Sequence, residues 1–201
     1  MISILSIVHD TMVDGPGFRT SIYCAGCPNH CAGCHNPQSW DINHGIMTST
    51  EDIMKEILED PFANVTFSGG DPMFQADGFA ELARAIRTES DKDIWCFTGY
   101  RYENLLKNPK QLELLKLIDV LVDGPFIKDL RDEDLFFRGS SNQRLINVQK
   151  SLALGEVVEL HLTKDYPNPE LYNFKARDRI LLFELYIQSI DTPNCWSRFF
   201  T

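Results

Sequence analysis

In the stretch ANVTFSGGDP, residues 63–72, a run of β-branched and aromatic residues stops at two glycines followed by Asp-Pro. Val, Thr and Phe favour a pleated, half-buried strand, and Gly-Gly ends it. Just downstream, Phe79, Leu82, Ala83 and Ile86 recur at helical spacing and mark an amphipathic helix. Strand, glycine turn and helix make one half of a βαβ unit. The same alternation continues on both sides. Upstream, Thr20–Cys24 reads as a strand, and Thr48 with Glu51 resembles a capping box opening a helix whose stripe is Ile53, Met54, Ile57 and Leu58. Downstream, Ile94–Phe97 and Val120–Val122 read as buried strands, with a helix over Leu112–Ile118 between them. This order predicts an α/β fold, a single domain on a mostly parallel sheet with right-handed crossovers.

Such sheets place their ligand site at the carboxyl ends of the strands. Four loops are predicted there: a cysteine loop after the first strand, SGGDP after the second, TGY after the third and DGPF after the fourth. The cysteine loop, CAGCPNHCAGCHNP (residues 24–37), holds Cys24, Cys27, Cys31 and Cys34, four of the six cysteines in the chain. Cys27, Cys31 and Cys34 have the spacing C-x3-C-x2-C, which suits three irons of a [4Fe–4S] cube with the fourth left open. Adding Cys24 gives four ligands, the number that closes a zinc site or a fully ligated cluster. Zinc ribbons usually separate their cysteine pairs by a dozen or more residues, and here three intervene. Cys24 is expected to be a strand-end structural thiol and Cys96 a small core hydrophobe; Cys195 receives no role.

At 201 residues, with 43% hydrophobic and 24% charged, the chain has an ordinary globular balance. A formal net charge of −10 argues against a nucleic-acid partner. No apolar run reaches the ~18 residues of a membrane span, and MISILSIVHD has neither the basic start nor the cleavage site of a signal peptide. The expected location is the cytoplasm, where clustered thiols read as metal-binding or catalytic.

CPNHCAGC resembles the cluster signature of the radical S-adenosylmethionine enzymes, and SGGDP resembles their glycine-rich motif. DGPGFRTSIYCAGCPNHCAGCHNPQSW, FSGGDPMF, IWCFTGY, LVDGPF and FRGSSNQR occur in the order found in the anaerobic ribonucleoside-triphosphate reductase activating proteins, from about residue 5 to residue 150. The resemblance implies a partial (β/α) barrel over residues 1–154, with 155–201 as a C-terminal extension outside it. It implies one [4Fe–4S] cluster on Cys27, Cys31 and Cys34, and S-adenosylmethionine against Gly33, Cys34, His35, Gly69, Gly70 and Asp123, with Asp71 and Pro72 fixing the turn. No side chain is assigned as acid or base, because the chemistry takes place at the cluster and S-adenosylmethionine. It further implies reductive cleavage to a 5′-deoxyadenosyl radical, a glycyl radical on the large subunit of the reductase, and a low-potential electron donor such as flavodoxin.

The same chemistry serves activases of other glycyl-radical enzymes, such as pyruvate formate-lyase. Several of those carry extra cysteines before the glycine motif, whereas residues 35–68 contain none. A four-cysteine zinc-binding module is the alternative from another class. Where many relatives in the superfamily place an aromatic residue before the last cysteine, Gly33 stands here, so adenine stacking is expected from Phe67, Phe97 or Tyr100. RGSSNQR, framed by Arg138 and Arg144, is expected either at the mouth of the site or as a solvated loop. His9, His30 and His44 are expected on the surface, and His161 is not a ligand candidate.

Overall fold

In the computed structural model, which describes residues 1–162, seven strands form one mixed sheet. They are β1 (Ile2–Thr11), β2 (Arg19–Cys24), β3 (Ile46–Thr48), β4 (Asn64–Gly69), β5 (Ile94–Phe97), β6 (Val120–Asp123) and β7 (Arg144–Asn147). Their order across the sheet is β3-β1-β2-β4-β5-β6-β7. The four central strands β2, β4, β5 and β6 run parallel, as the strand–helix alternation predicts. At the margins β1, β3 and β7 are antiparallel. Those three were not read from the sequence. The margins need no crossover helix, so the alternation that reveals parallel strands is missing there.

The helices α1 (Thr50–Glu59), α2 (Ala76–Glu89), α3 (Tyr102–Leu105), α4 (Pro109–Leu115) and α5 (Val148–Leu154) bury their apolar stripes against one face of the sheet. Ile22, Cys24, Val65, Phe67, Ile94, Cys96 and Leu121 meet Ile53, Ile57, Phe79, Leu82, Ala83 and Ile86 there. Alternate residues point to the other face, where Trp95, Val120, Val122 and Leu145 form a second, smaller cluster. On that face Arg19 is fully buried. Its guanidinium donates to Thr66 Oγ1 at 2.6 Å, the Val65 carbonyl at 2.6 Å and Asp93 Oδ1 at 2.5 Å, and lies over the Trp95 ring.

Two boundaries and one side chain differ from expectation. The cap of α1 is Ser49, whose hydroxyl accepts from the Asp52 backbone N–H at 3.1 Å, one residue beyond the Thr48–Glu51 pair. Ile53, Met54 and Ile57 are buried as predicted but Leu58 is exposed, because it lies a step round the helix from the sheet. The helix placed at 112–118 runs over Pro109–Leu115, started by Asn108 capping the Lys110 N–H.

The described unit continues past the end of α5. Gly155 closes that helix with a left-handed backbone, and residues 157–160 return along the outer edge of β7. Asn147 N donates to the Val158 carbonyl at 2.9 Å and Leu160 N to the Leu145 carbonyl at 2.7 Å, so VVEL does lie beside a strand. RILLFELYI (179–187) and Cys195 fall outside the described residues.

Candidate functional site

The parallel strands deliver their carboxyl ends to one place. Cys24 at the end of β2 pairs in register with Gly69 at the end of β4, and the ladder continues as the chains leave the sheet. Gly70 N donates to the Cys24 carbonyl at 2.6 Å and Asp71 N to the Gly26 carbonyl at 2.9 Å. Such closeness requires bare backbone. A Cβ on Gly69 would lie 2.4 Å from Cys24 N, and one on Gly70 2.6 Å from the Gly26 carbonyl oxygen. The glycine pair is therefore what allows the GGDP turn to dock on the cysteine loop.

The loop is further anchored on its far side. Gly26 N donates to the Ser39 carbonyl at 2.7 Å and Cys27 N to the Trp40 carbonyl at 3.0 Å, while Gln75 Nε2 reaches the Ala25 carbonyl at 2.9 Å. Cys27, Cys31 and Cys34 are half-buried on it, and Cys24 is fully buried with its side chain in the helix-side core. Burial pushes the Cys24 thiol well above its ordinary range, which suits a structural thiol. Burial also raises Cys27, and hydrogen bonds from the Asn29 and His30 backbone and the Asn29 amide oppose it.

Four thiolates on one zinc would stand about 3.8 Å apart, given Zn–S bonds of about 2.3 Å. Among the described residues, no three cysteine sulfurs lie mutually within 4.8 Å; the one group of donor atoms that close is His9, Glu56 and Glu59, at the other end of the sheet. Two sulfurs already receive N–H donors: Cys34 Sγ from Asn36 N at 3.4 Å, and Cys27 Sγ from Asn29 Nδ2 at 3.8 Å. Thiolates of iron–sulfur clusters are tuned by such bonds. Among the described residues, the buried Trp40 Nε1 and Asn36 Oδ1, beside the same loop, have no hydrogen-bond partner. The thiolate donors, their C-x3-C-x2-C spacing and the N–H groups directed at two of them fit a cluster on Cys27, Cys31 and Cys34.

Asp71 joins three loops. Its carboxylate is fully buried; Oδ1 accepts from Met73 N at 3.0 Å and Thr98 Oγ1 at 2.8 Å, and Oδ2 from Gly99 N at 3.0 Å and Asn29 Nδ2 at 3.1 Å. Burial lifts it to about 6, against the pull of those donors. Asn29 packs so closely that a Cβ on Gly99 would lie 2.2 Å from Nδ2, which accounts for the glycine of TGY.

Asp123 at the end of β6 is equally buried but differently held. Oδ1 accepts from Arg144 Nε at 2.9 Å and Arg101 Nη1 at 3.3 Å; Oδ2 accepts from Tyr102 N at 2.9 Å and from Arg144 Nη2. Arg144 also makes a bidentate pair with Glu103, both contacts at 3.0 Å. Within the protein, both oxygens of Asp123 are engaged.

Gly33 and His35 lie against the DGPF loop. The position of a Cβ on Gly33 is 3.6 Å from Phe126, whose ring meets His35 edge-on at 5.9 Å between centroids. RGSSNQR is tied to the same loop: Gln143 Nε2 donates to the Gly124 carbonyl at 3.1 Å and Asn142 Nδ2 to the Pro125 carbonyl at 2.8 Å. Of the three aromatics considered for adenine, Phe67 is fully buried against Phe79 on the helix face and is withdrawn; Phe97 and Tyr100 are half-buried. His30 and His44 are exposed, His30 stacked on Trp40, whereas His9 is half-buried and pairs with Glu56 at 3.1 Å. His161 is exposed. Asn29, Phe126 and Gln75 were not read as site residues, since their contacts with the cysteine loop come from segments distant in sequence or from an unassigned position between the cysteines.

The site carries the donors an iron–sulfur domain needs, and comparison with known proteins agrees: a family model described as a 4Fe-4S single cluster domain matches residues 13–146. The anaerobic ribonucleoside-triphosphate reductase-activating protein of Escherichia coli is 39% identical over 140 residues, covering 66% of this chain and 90% of that protein. The proteins of the same name from Vibrio cholerae and from phage T4 are 39% and 34% identical, over 89% and 86% of their lengths and 66% of this chain. The chain belongs to the family of anaerobic ribonucleoside-triphosphate reductase-activating proteins.

Proposed function

We propose that this chain is a radical S-adenosylmethionine activase that installs a glycyl radical on the large subunit of an anaerobic ribonucleoside-triphosphate reductase. The observation that carries the reading is the trio of half-buried thiols, Cys27, Cys31 and Cys34, on one loop at the carboxyl ends of the parallel strands. A [4Fe–4S] cluster bound there supplies a low-potential electron and an open iron, by which S-adenosylmethionine is cleaved to methionine and a 5′-deoxyadenosyl radical that takes a hydrogen atom from a glycine.

The rest is orientation by the chain itself. Asn29 and Asn36 donate to the Cys27 and Cys34 sulfurs. Gly69 and Gly70 bring the end of β4 against the loop, and with Gly33, Cys34 and His35 they make the proposed S-adenosylmethionine contacts. Asp123 belongs to this set through the arginines it holds, since its oxygens are occupied by Arg101, Arg144 and Tyr102 N. Phe126 and Lys128 pack beside the loop at Gly33 and help fix its position. The face of the sheet opposite the helices is the proposed concave side of a partial (β/α) barrel, residues 155–201 are the proposed C-terminal extension, whose first part runs beside β7, flavodoxin is the proposed electron donor, and the proposed setting is the cytoplasm. Among the described residues, no helix is long and apolar enough to cross a membrane.

Anaerobic reconstitution with iron and sulfide tests this. About four irons per chain, S-adenosylmethionine cleavage on reduction, and a carbon-centred radical doublet only with the reductase subunit are expected. Alanine at 27, 31 or 34 should abolish cleavage, whereas Cys24→Ala should retain it. One zinc per chain without sulfide would refute the reading.

A further inference from the structure

The Asp-Pro after the glycine pair looks like a helix cap, and Asp71 does accept from Met73 N. Its other oxygen, however, engages Asn29, a half-buried loop residue between two proposed ligands, and the same Asn29 nitrogen reaches Cys27 Sγ. A single amide group thus joins a fully buried carboxylate to a thiol sulfur. All four groups donating to Asp71 are neutral, so among the described residues no cation hydrogen-bonds to it. The carboxylate in turn orients the amide: with Asp71 accepting, Asn29 must present its NH2 rather than its carbonyl, and that leaves an N–H for sulfur. Gly99 keeps the space in which the amide lies.

We propose that Asp71 is a positioning residue acting through Asn29, fixing the Cys27 sulfur and setting how readily the bound cluster accepts an electron. This rests on the cluster reading above. An N–H donated to a cysteinyl sulfur stabilises the added electron, so losing it makes reduction harder, and groups around the ligands commonly tune a metal centre in this way.

The test is a potentiometric titration of the reconstituted, full-length chain, with iron measured on the same samples. Asn29→Ala is expected to retain about four irons and to lower the reduced-to-oxidised ratio at a fixed poise about tenfold, a shift of about 59 mV for one electron. Asp71→Asn should change the potential by a different amount in the wild-type and Asn29→Ala backgrounds, since its effect passes through the amide. If Asp71→Asn fails to fold, Asn29→Ala alone decides. Iron loss from Asn29→Ala, at an unchanged thermal midpoint of the cluster-free chain, also supports the positioning of Cys27. A full cluster at unchanged potential in Asn29→Ala, or strictly additive shifts in the two backgrounds, overturns the proposal while leaving the activase reading intact. Failure of the wild-type chain to assemble any cluster overturns both.

Discussion

Asp71 and Asp123 are the same residue at the same depth, each fully buried where a parallel strand gives way to its loop, at β4 and β6 respectively. One is surrounded only by neutral donors and the other is clamped by two guanidiniums. Ion pairing at β6 neutralises the buried charge and ties β6 to β7 and α3. At β4 dipoles alone solvate the carboxylate, so its charge remains available to neighbouring groups. The first arrangement builds a joint and the second builds an electrostatic environment.

The largest expected effect lies at the joint. Arg144→Met leaves Asp123 buried with a weaker partner set and should cost about 3–5 kcal/mol in urea unfolding, the usual consequence of breaking a buried pair from one side. A cost near zero would mean that Arg101 suffices and that the contrast is one of degree. At β4 the effect depends on pH. Burial raises Asp71 from its ordinary 3.8 to about 6, so between those values the folded chain keeps a proton that the unfolded chain releases. Its stabilising contribution is present below about pH 4 and is lost as pH rises through about 6, by up to roughly 3 kcal/mol. Asp71→Asn should remove that slope in the cluster-free chain, and an identical slope in both proteins would place the titration elsewhere.

Gly70→Val should cost about 1–3 kcal/mol, since the new side chain strikes the Gly26 carbonyl. Because that carbonyl belongs to the cysteine loop, iron retention and S-adenosylmethionine affinity should fall together. Full iron with weakened affinity would separate the two roles of this glycine. Thr98→Val is expected to have the smallest effect, about 1 kcal/mol by thermal unfolding, from removing one of four donors to Asp71.

What the sequence disclosed follows the same division. The parallel centre was legible because β4, β5 and β6 are short runs rich in β-branched and apolar residues, each followed within two residues by glycine and separated by helical stripes. The cysteine loop was legible from spacing alone. The Asp123 joint was not, because Arg101, Glu103 and Arg144 come from separate segments and charged residues there resemble any solvated surface. Buried Arg19 was missed for that reason: beside Phe18 and Thr20 it resembles a turn residue. Asn29 carried no signal at an unassigned position between Cys27 and Cys31, since only the fold brings Asp71 and Gly99 to it.

The docking of the GGDP turn on the cysteine loop runs through main-chain atoms on both sides. A substitution scan of this region should therefore show an uneven map. Positions 69 and 70 should accept almost nothing larger than glycine, although neither holds metal. Pro28 and Ala32, which sit between the cysteines and are exposed, should tolerate many replacements. Sequence drift among functioning variants would then be fastest within the loop that carries the metal ligands and slowest in the strand end facing it.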